Sequence, residues 1–281
     1  MGHGQPALNK RLGQHHLTSP ALCGPLVDFL APAGERVLEI GPGGGVLTRA
    51  LLAARARVWG VELDLDWVWA LRRSLRGAGV DADLQPLVMD ALDVPWRRLP
   101  APTLVAGNLP YNVATPLIAS ILPHHDRVPR AGFLLQKEVA ERLTARPGTR
   151  AYGALTVLVE CHAEAMMLGR VKPGSFRPPP KVDSAFVGFR LRPPPLPEAE
   201  LTAFLALVRQ AFGQKRKTLR NALGRVVGSA RVEAALAALE LPPATRAEEL
   251  ALDRWLALWP LVREDGPAPA GLETKNVKMR R

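Results

Sequence analysis

Cysteine is scarce in this sequence: Cys23 and Cys161 are the only two thiols in 281 residues. They lie far apart and form no Cys-x-x-Cys spacing, which excludes a disulfide framework and a zinc knuckle and suits a reducing compartment. Long apolar runs are missing too. Although 47% of residues are hydrophobic, no uninterrupted stretch approaches the roughly 20 apolar residues of a membrane-spanning helix. Residues 1–10 lack the apolar segment of a signal peptide, so the expectation is a soluble, cytoplasmic globular protein without membrane partners. Acidic residues are the minority charge, 26 Asp and Glu against 37 Lys and Arg, for a net +11. The deficit is local. Between residues 201 and 232 there is no acidic residue, while Arg209, Lys215, Arg216, Lys217, Arg220, Arg225 and Arg231 all fall there. Such clustering marks a polyanion-binding surface, because each cation that neutralises a phosphate releases condensed counterions. A merely solvated basic face is the plainer reading.

Apolar periodicity sets out the organisation. A short amphipathic helix is expected over residues 20–30, a buried strand over 36–40, a helix over 46–56, a strand over 58–62 and a helix over 67–78. Strands over 87–90 and 103–107, a helix over 115–122 and a strand over 132–136 follow. Strand and helix alternate, which predicts an α/β fold with a mainly parallel, Rossmann-like sheet, helices on both faces and ligands at the carboxyl ends of the strands. The proline run of residues 192–197 sustains neither a ladder nor a helix interior and marks a boundary. The domains expected are therefore 1–194 for the sheet, 195–263 for a small all-helical unit, and 264–281 for a basic, disordered tail. The length suffices for one large core and a smaller one, and no internal repeat is present.

Three features at successive strand ends carry the first chemistry. In Glu39-Ile-Gly-Pro-Gly-Gly-Gly45 the glycines, Gly41 and Gly43 among them, let the backbone approach a ligand at a helix start. A dinucleotide fingerprint would need Gly or Ala three residues after Gly43, where Val46 stands, so a nicotinamide cofactor fits poorly. The Glu-x-Gly-x-Gly form resembles motif I of S-adenosylmethionine (AdoMet) methyltransferases. Glu62, closing the second strand, can accept from ribose hydroxyls, and Asp90 can accept from an adenine amine or, more plainly, cap a turn.

Gly107-Asn108-Leu109-Pro110-Tyr111 is the most telling segment. An exocyclic adenine amine has its lone pair delocalised into the ring, so it needs geometry and hydrogen bonding more than a strong base. The Asn108 side-chain carbonyl and the Leu109 backbone carbonyl can accept the two amine hydrogens, Tyr111 can stack on a flipped base, and Pro110 stiffens the turn. An ordinary β-turn is the alternative. Further on, the prolines of residues 178–180 hold an extended loop that could present Phe176 as a second face of an aromatic clamp, with Arg177 and Lys181 on phosphate; a proline-rich linker is the alternative. Lys215, Arg216, Lys217 and Arg220 are spaced along a helix as RNA-backbone contacts would be. His15-His16 and His124-His125 lack partners at metal-ligand spacing, so no metal is expected. Trp255 and Trp259, four apart, read as core packing.

Taken together the motifs resemble the small-subunit rRNA adenine N6,N6-dimethyltransferases (the KsgA/RsmA group) from about residue 10 to 261. The matching segments are Arg11-Leu-Gly-Gln14 with Leu17, Val37-Leu-Glu-Ile-Gly-Pro-Gly43, Val61-Glu-Leu-Asp64, Asp90-Ala91, residues 107–116, Leu135-Gln-Lys-Glu-Val139, Ala151-Tyr-Gly153, residues 178–184 and residues 211–221. The resemblance implies AdoMet-dependent transfer of two methyls to each of two adjacent adenosines in a hairpin loop near the 3′ end of 16S rRNA, on an assembling 30S subunit. Its cofactor contacts would fall on His15, Leu17, Gly41, Glu62, Asp90 and Asn108, with no metal. A monomer suffices. One departure stands out: the family's Gly-Gln-Asn-Phe-Leu is Gly13-Gln-His-His-Leu17 here, an exchange of an amide and a phenyl ring for two imidazoles that implies altered affinity with activity kept. The tail after Arg263 has no clear counterpart. The rival readings are an Erm-type enzyme acting on large-subunit rRNA, a non-catalytic nucleic-acid-binding factor, and, more distantly, an NAD oxidoreductase.

Overall fold

The computed structural model describes residues 15–77, 83–110, 113–214 and 216–263. Tyr111, Lys215, the Arg11–Gln14 segment of the resemblance and the tail 264–281 lie outside the described residues. The chain divides into two compact units. One comprises the described residues up to Thr144 with His162–Pro194, and the other comprises Ala145–Cys161 and the described residues from Pro195 onward. Residues 145–161, inside the span 1–194, thus cluster with the helical unit.

The first unit runs β1 (His16–Leu17), α1 (Gly24–Leu30), β2 (Arg36–Ile40), α2 (Val46–Ala53), β3 (Arg57–Glu62), α3 (Leu65–Arg76), β4 (Leu84–Val88), β5 (Leu104–Asn108), α4 (Ala114–Ile121), β6 (Arg130–Gln136) and α5 (Lys137–Leu143). After α6 (Ala154–His162), most of which belongs to the second unit, come β7 (Ala163–Val171), β8 (Phe176–Arg177) and β9 (Ser184–Leu191). Seven strands form one sheet in the order β4-β3-β2-β5-β6-β9-β7. Its first five strands are parallel, and β9 runs antiparallel to both β6 and β7. The central strand β2 is buried at Val37, Leu38, Glu39 and Ile40; a strand covered on both faces reads as a continuous apolar run rather than an alternation. Helix α3 opens on Asp64, whose side chain accepts from the Asp66 amide, and carries Arg73 and Arg76 in its last turn, charges that complement the helix dipole.

The order places the site. From β2 the chain winds outward to β3 and β4, then returns to lay β5 on the other side of β2. Between β2 and β5 the direction of winding reverses, and in open α/β sheets the ligand crevice opens at the carboxyl ends there.

The strands differ from the sequence reading at the two edges of the sheet. The strand expected over residues 87–90 is Leu84–Val88; it includes Pro86, which an edge strand tolerates because one side needs no ladder hydrogen bond. The strand Ala163–Val171 has no counterpart in the sequence reading. It is the other edge of the sheet, its middle residues are half-exposed, and a register shift between Met167 and Gly169 breaks the alternation that would have marked it.

In the second unit, α7 (Glu198–Phe212), α8 (Leu219–Leu223), α9 (Ser229–Ala238) and α10 (Leu252–Val262) enclose a separate core with α6, and a π turn, Gly224–Gly228, joins α8 to α9. Trp255 and Trp259 are buried in that core. The indole of Trp259 donates to Glu200, which also holds Arg263.

Candidate active site

A cavity of about 240 Å³ opens at the carboxyl ends of β2, β3, β4 and β5. Its walls bring together His15, Leu17, Gly41, Gly43, Glu62, Asp90, Asn108, Leu109 and Pro110. Nine positions singled out from sequence therefore meet in one crevice.

The floor follows β2. The strand ends at Ile40, and the turn into α2 takes positive φ at Gly41 (65°), Gly43 (47°) and Gly45 (75°), conformations that cost little only for glycine. At Gly43 space matters as well: a β-carbon there would lie 2.5 Å from the Cε1 of His16. The His16 ring covers this turn, stacks on Trp67 with 4.6 Å between ring centres, and accepts the Gly44 amide on Nδ1 at 3.2 Å. The two imidazoles thus act differently. His15 joins its Nδ1 to the Pro178 carbonyl at 2.8 Å, whereas His16 holds the aromatic stack.

Glu62 ties the turn to the next strand end. Its Oε2 accepts the Gly43 amide at 3.1 Å, and its Oε1 accepts the amides of Leu63 at 3.0 Å and Asp64 at 3.2 Å. A carboxylate offers about four lone-pair sites, so one acceptor position remains. Burial raises the Glu62 pKa, the three amides pull it back, and Asp64 adds to the rise. Asp90 accepts the Leu92 amide at 2.9 Å and caps a 3₁₀ turn, Ala91–Asp93. The turn-capping reading therefore holds, and the residue lines the cavity all the same.

Sequence reasoning gave no role to Glu39, which lines the cavity at 1% exposure with Oε2 unpartnered. Burial pushes its carboxyl up to about 8, with Thr48 pulling it partway back and the Glu62 charge adding to the rise. The available signal was a charge inside an apolar strand, since such a charge is costly to bury without a partner.

At the end of β5, the Asn108 amide nitrogen donates to the His15 backbone carbonyl at 2.7 Å. Only the NH₂ end of an amide can make that bond, so the orientation is fixed and the oxygen is left as an acceptor. Strand β1, which carries the next residue, pairs antiparallel with β8, His16 opposite Arg177 and Leu17 opposite Phe176. Phe176 is not brought to the cavity: at 1% exposure it lies in the core cluster with Leu17 and Phe186. Arg177 and Lys181 are exposed on the first unit, and Arg216, Lys217 and Arg220 on the second. Arg220 is ion-paired with Glu233. Among the described residues, no group of three or more His, Cys, Asp or Glu could hold a metal, and no helix is long and apolar enough to cross a membrane.

A five-stranded parallel run ending in a reversed strand, with a glycine turn after its central strand and acids at the next two strand ends, defines a Rossmann-like AdoMet-dependent methyltransferase. The orphaned polar atoms Glu39 Oε2 on β2 and His16 Nε2 over the glycine turn suit the charged amino-acid end of that cofactor. The family described as Ribosomal RNA adenine dimethylase matches residues 6–263. The chain belongs to this family and is an rRNA adenine dimethyltransferase using AdoMet. Similar proteins include a Ribosomal RNA small subunit methyltransferase A of Synechococcus sp. (strain JA-3-3Ab), 43% identical over 95% of this chain and 97% of its own length. Another of the same description, from Anaeromyxobacter sp. (strain K), is 44% identical over 89% and 91%. Among solved structures, the 23S rRNA methyltransferase ErmE superposes with a TM-score of 0.70 at 28% identity, covering 88% of this chain and 98% of that one. A dimethyladenosine transferase from Plasmodium falciparum shares the fold at 24% identity, TM-score 0.70, over 86% and 95%.

Proposed function

We propose that the chain dimethylates N6 of two adjacent adenosines in the 3′-terminal hairpin loop of 16S rRNA, acting as a cytoplasmic monomer on the assembling 30S subunit. Its support is the description of the relatives above 40% identity as small-subunit methyltransferases. The chemistry is carried by one observation, the Asn108 amide pinned through its nitrogen to the His15 carbonyl in the wall of the cavity.

Bound AdoMet supplies a methyl on a positively charged sulfur. Of the residues lining the cavity, Asp90 after β4 would hold the adenine, Glu62 after β3 the ribose, the Gly41–Gly43 turn after β2 with His15 and Leu17 the amino-acid end, and Asn108 after β5 would stand at the methyl. The Asn108 oxygen and the Leu109 carbonyl accept the two hydrogens of the substrate amine and turn its lone pair toward the methyl. Pro110 keeps the turn rigid and Tyr111 stacks on the base. The methylated ammonium is strongly acidic and loses its proton to water, so no general base is assigned. Phe176, paired opposite Leu17 and buried with it in the core, supports β1, the strand that follows His15, and takes no part in a clamp on the base. Arg177, Lys181, Lys215, Arg216, Lys217 and Arg220 hold RNA phosphate, with the share of Arg220 reduced by Glu233.

The likeness to ErmE sets the competing substrate. In a mixture of undermethylated small and large subunits, label from AdoMet is expected in the small-subunit RNA alone. Label confined to the large subunit would overturn the assignment.

A further inference from the structure

His16 lines the crevice, and its Nε2 is buried without a hydrogen-bond partner. The Gly44 amide donates to Nδ1, so Nδ1 must carry a lone pair, and a neutral ring then bears its hydrogen on Nε2. Burial, with His15 nearby, depresses the imidazolium form, which keeps the ring neutral. The result is a buried, orphaned N–H donor on a residue that lines a ligand cavity, and leaving such a donor unpaired is unfavourable. Whatever fills the cavity should bring an acceptor to it.

The position of the ring narrows the choice. It lies on Gly43 and Gly44 and stacks on Trp67, at the end of β2, away from Asp90 at the end of β4. Glu62 and Asp90 are acids and suit the hydroxyl and amine donors of the nucleoside. The one anionic acceptor of AdoMet is its carboxylate. We propose that His16 is a cofactor-binding residue whose Nε2–H donates to the AdoMet carboxylate. Where the resemblance implies a phenyl ring at this position, the imidazole stacks on Trp67 and adds a donor.

The inference rests on AdoMet occupying this crevice, and the test separates the two. Calorimetry compares AdoMet with decarboxylated AdoMet, without RNA, on wild type, His16→Asn and His16→Gln. Asparagine keeps an acceptor near Nδ1 and loses the distal donor; glutamine keeps a donor near Nε2. His16→Asn should weaken AdoMet about tenfold and leave decarboxylated AdoMet within about twofold, while His16→Gln restores most of the loss for AdoMet. Equal losses for both ligands, or none for either, overturn the carboxylate contact while leaving the cofactor site standing. Wild type that binds neither ligand overturns both. Because either variant could disturb the turn, the imidazole ¹⁵N resonances of wild-type His16 give an independent reading. A protonated Nε2 that shifts on adding AdoMet supports the proposal, and a proton on Nδ1, or no shift, overturns it.

Discussion

Placing a methyl at Gly43 tests whether the His16 ring is seated as described. Two effects combine in Gly43→Ala. The left-handed backbone, φ 47°, costs an L-residue about 1–2 kcal/mol. The new carbon would also stand 2.5 Å from His16 Cε1, so the ring must move. That forfeits the Gly44 hydrogen bond, worth about 0.5–1.5 kcal/mol, and the Trp67 stack, worth a similar ~0.5–1.5 kcal/mol. The expected loss of stability is therefore about 2–5 kcal/mol. Gly41→Ala is the control: φ is 65°, yet nothing lies within 4 Å of its added carbon, and only the backbone cost of about 1–2 kcal/mol applies. Urea unfolding of both variants, in wild-type and His16→Ala backgrounds, isolates the collision. In the His16→Ala background Gly43→Ala should cost no more than Gly41→Ala. If it costs the same in both backgrounds, the ring does not cover the turn and the account of β1 fails.

Other outcomes follow from the same geometry. Asn108→Ala should cost about 0.5–1.5 kcal/mol of stability through the lost His15 bond while lowering kcat for the first methyl by about 10²–10³, measured by label transfer with both substrates saturating; near-normal kcat would refute the orienting role. Glu39 is an acid whose carboxyl sits near 8 in the fold, above its ordinary 4.5. The folded state therefore holds a proton that the unfolded chain has released, and stability falls as pH rises between those values, by at most about 1.4 kcal/mol per pH unit. Glu39→Gln should lose that decline, and urea unfolding at pH 5.5 and 8 would show it as a gain over wild type at the higher pH only. Arg216→Ala and Lys217→Ala, both exposed, should each lower the slope of log K against log salt for RNA binding by about 0.7–0.9. An unchanged slope would make them ordinary surface cations.

What the sequence disclosed was the chemistry that depends on strand ends. Gly41, Gly43, Glu62, Asp90 and Asn108 fall at the junctions where parallel strands stop, and apolar runs followed by turn residues reveal those junctions without knowledge of neighbours. They meet in the cavity. The edges were harder to read. Pro86 and the irregular pairing at Met167 obscure strands that pack on one side only, and residues 145–161 cluster with the second unit, a choice made by packing rather than by local pattern. Long-range contacts were invisible in the sequence. Phe176 read as a presented ring because prolines follow it, yet it pairs with Leu17 and is buried. His15 drew notice as a substituted ligand, whereas its backbone carbonyl, which any residue carries, holds Asn108. Glu39 sat within the quoted motif, and only its burial gave it weight.

The most direct test of the central claim is nucleoside mass spectrometry on small-subunit RNA lacking dimethyladenosine, after incubation with AdoMet and either wild-type enzyme or Asn108→Ala. Wild type should yield N6,N6-dimethyladenosine with two molecules of S-adenosylhomocysteine for each modified base, and the variant almost none. Methylation at another position of the base, or equal product from the variant, would contradict that claim.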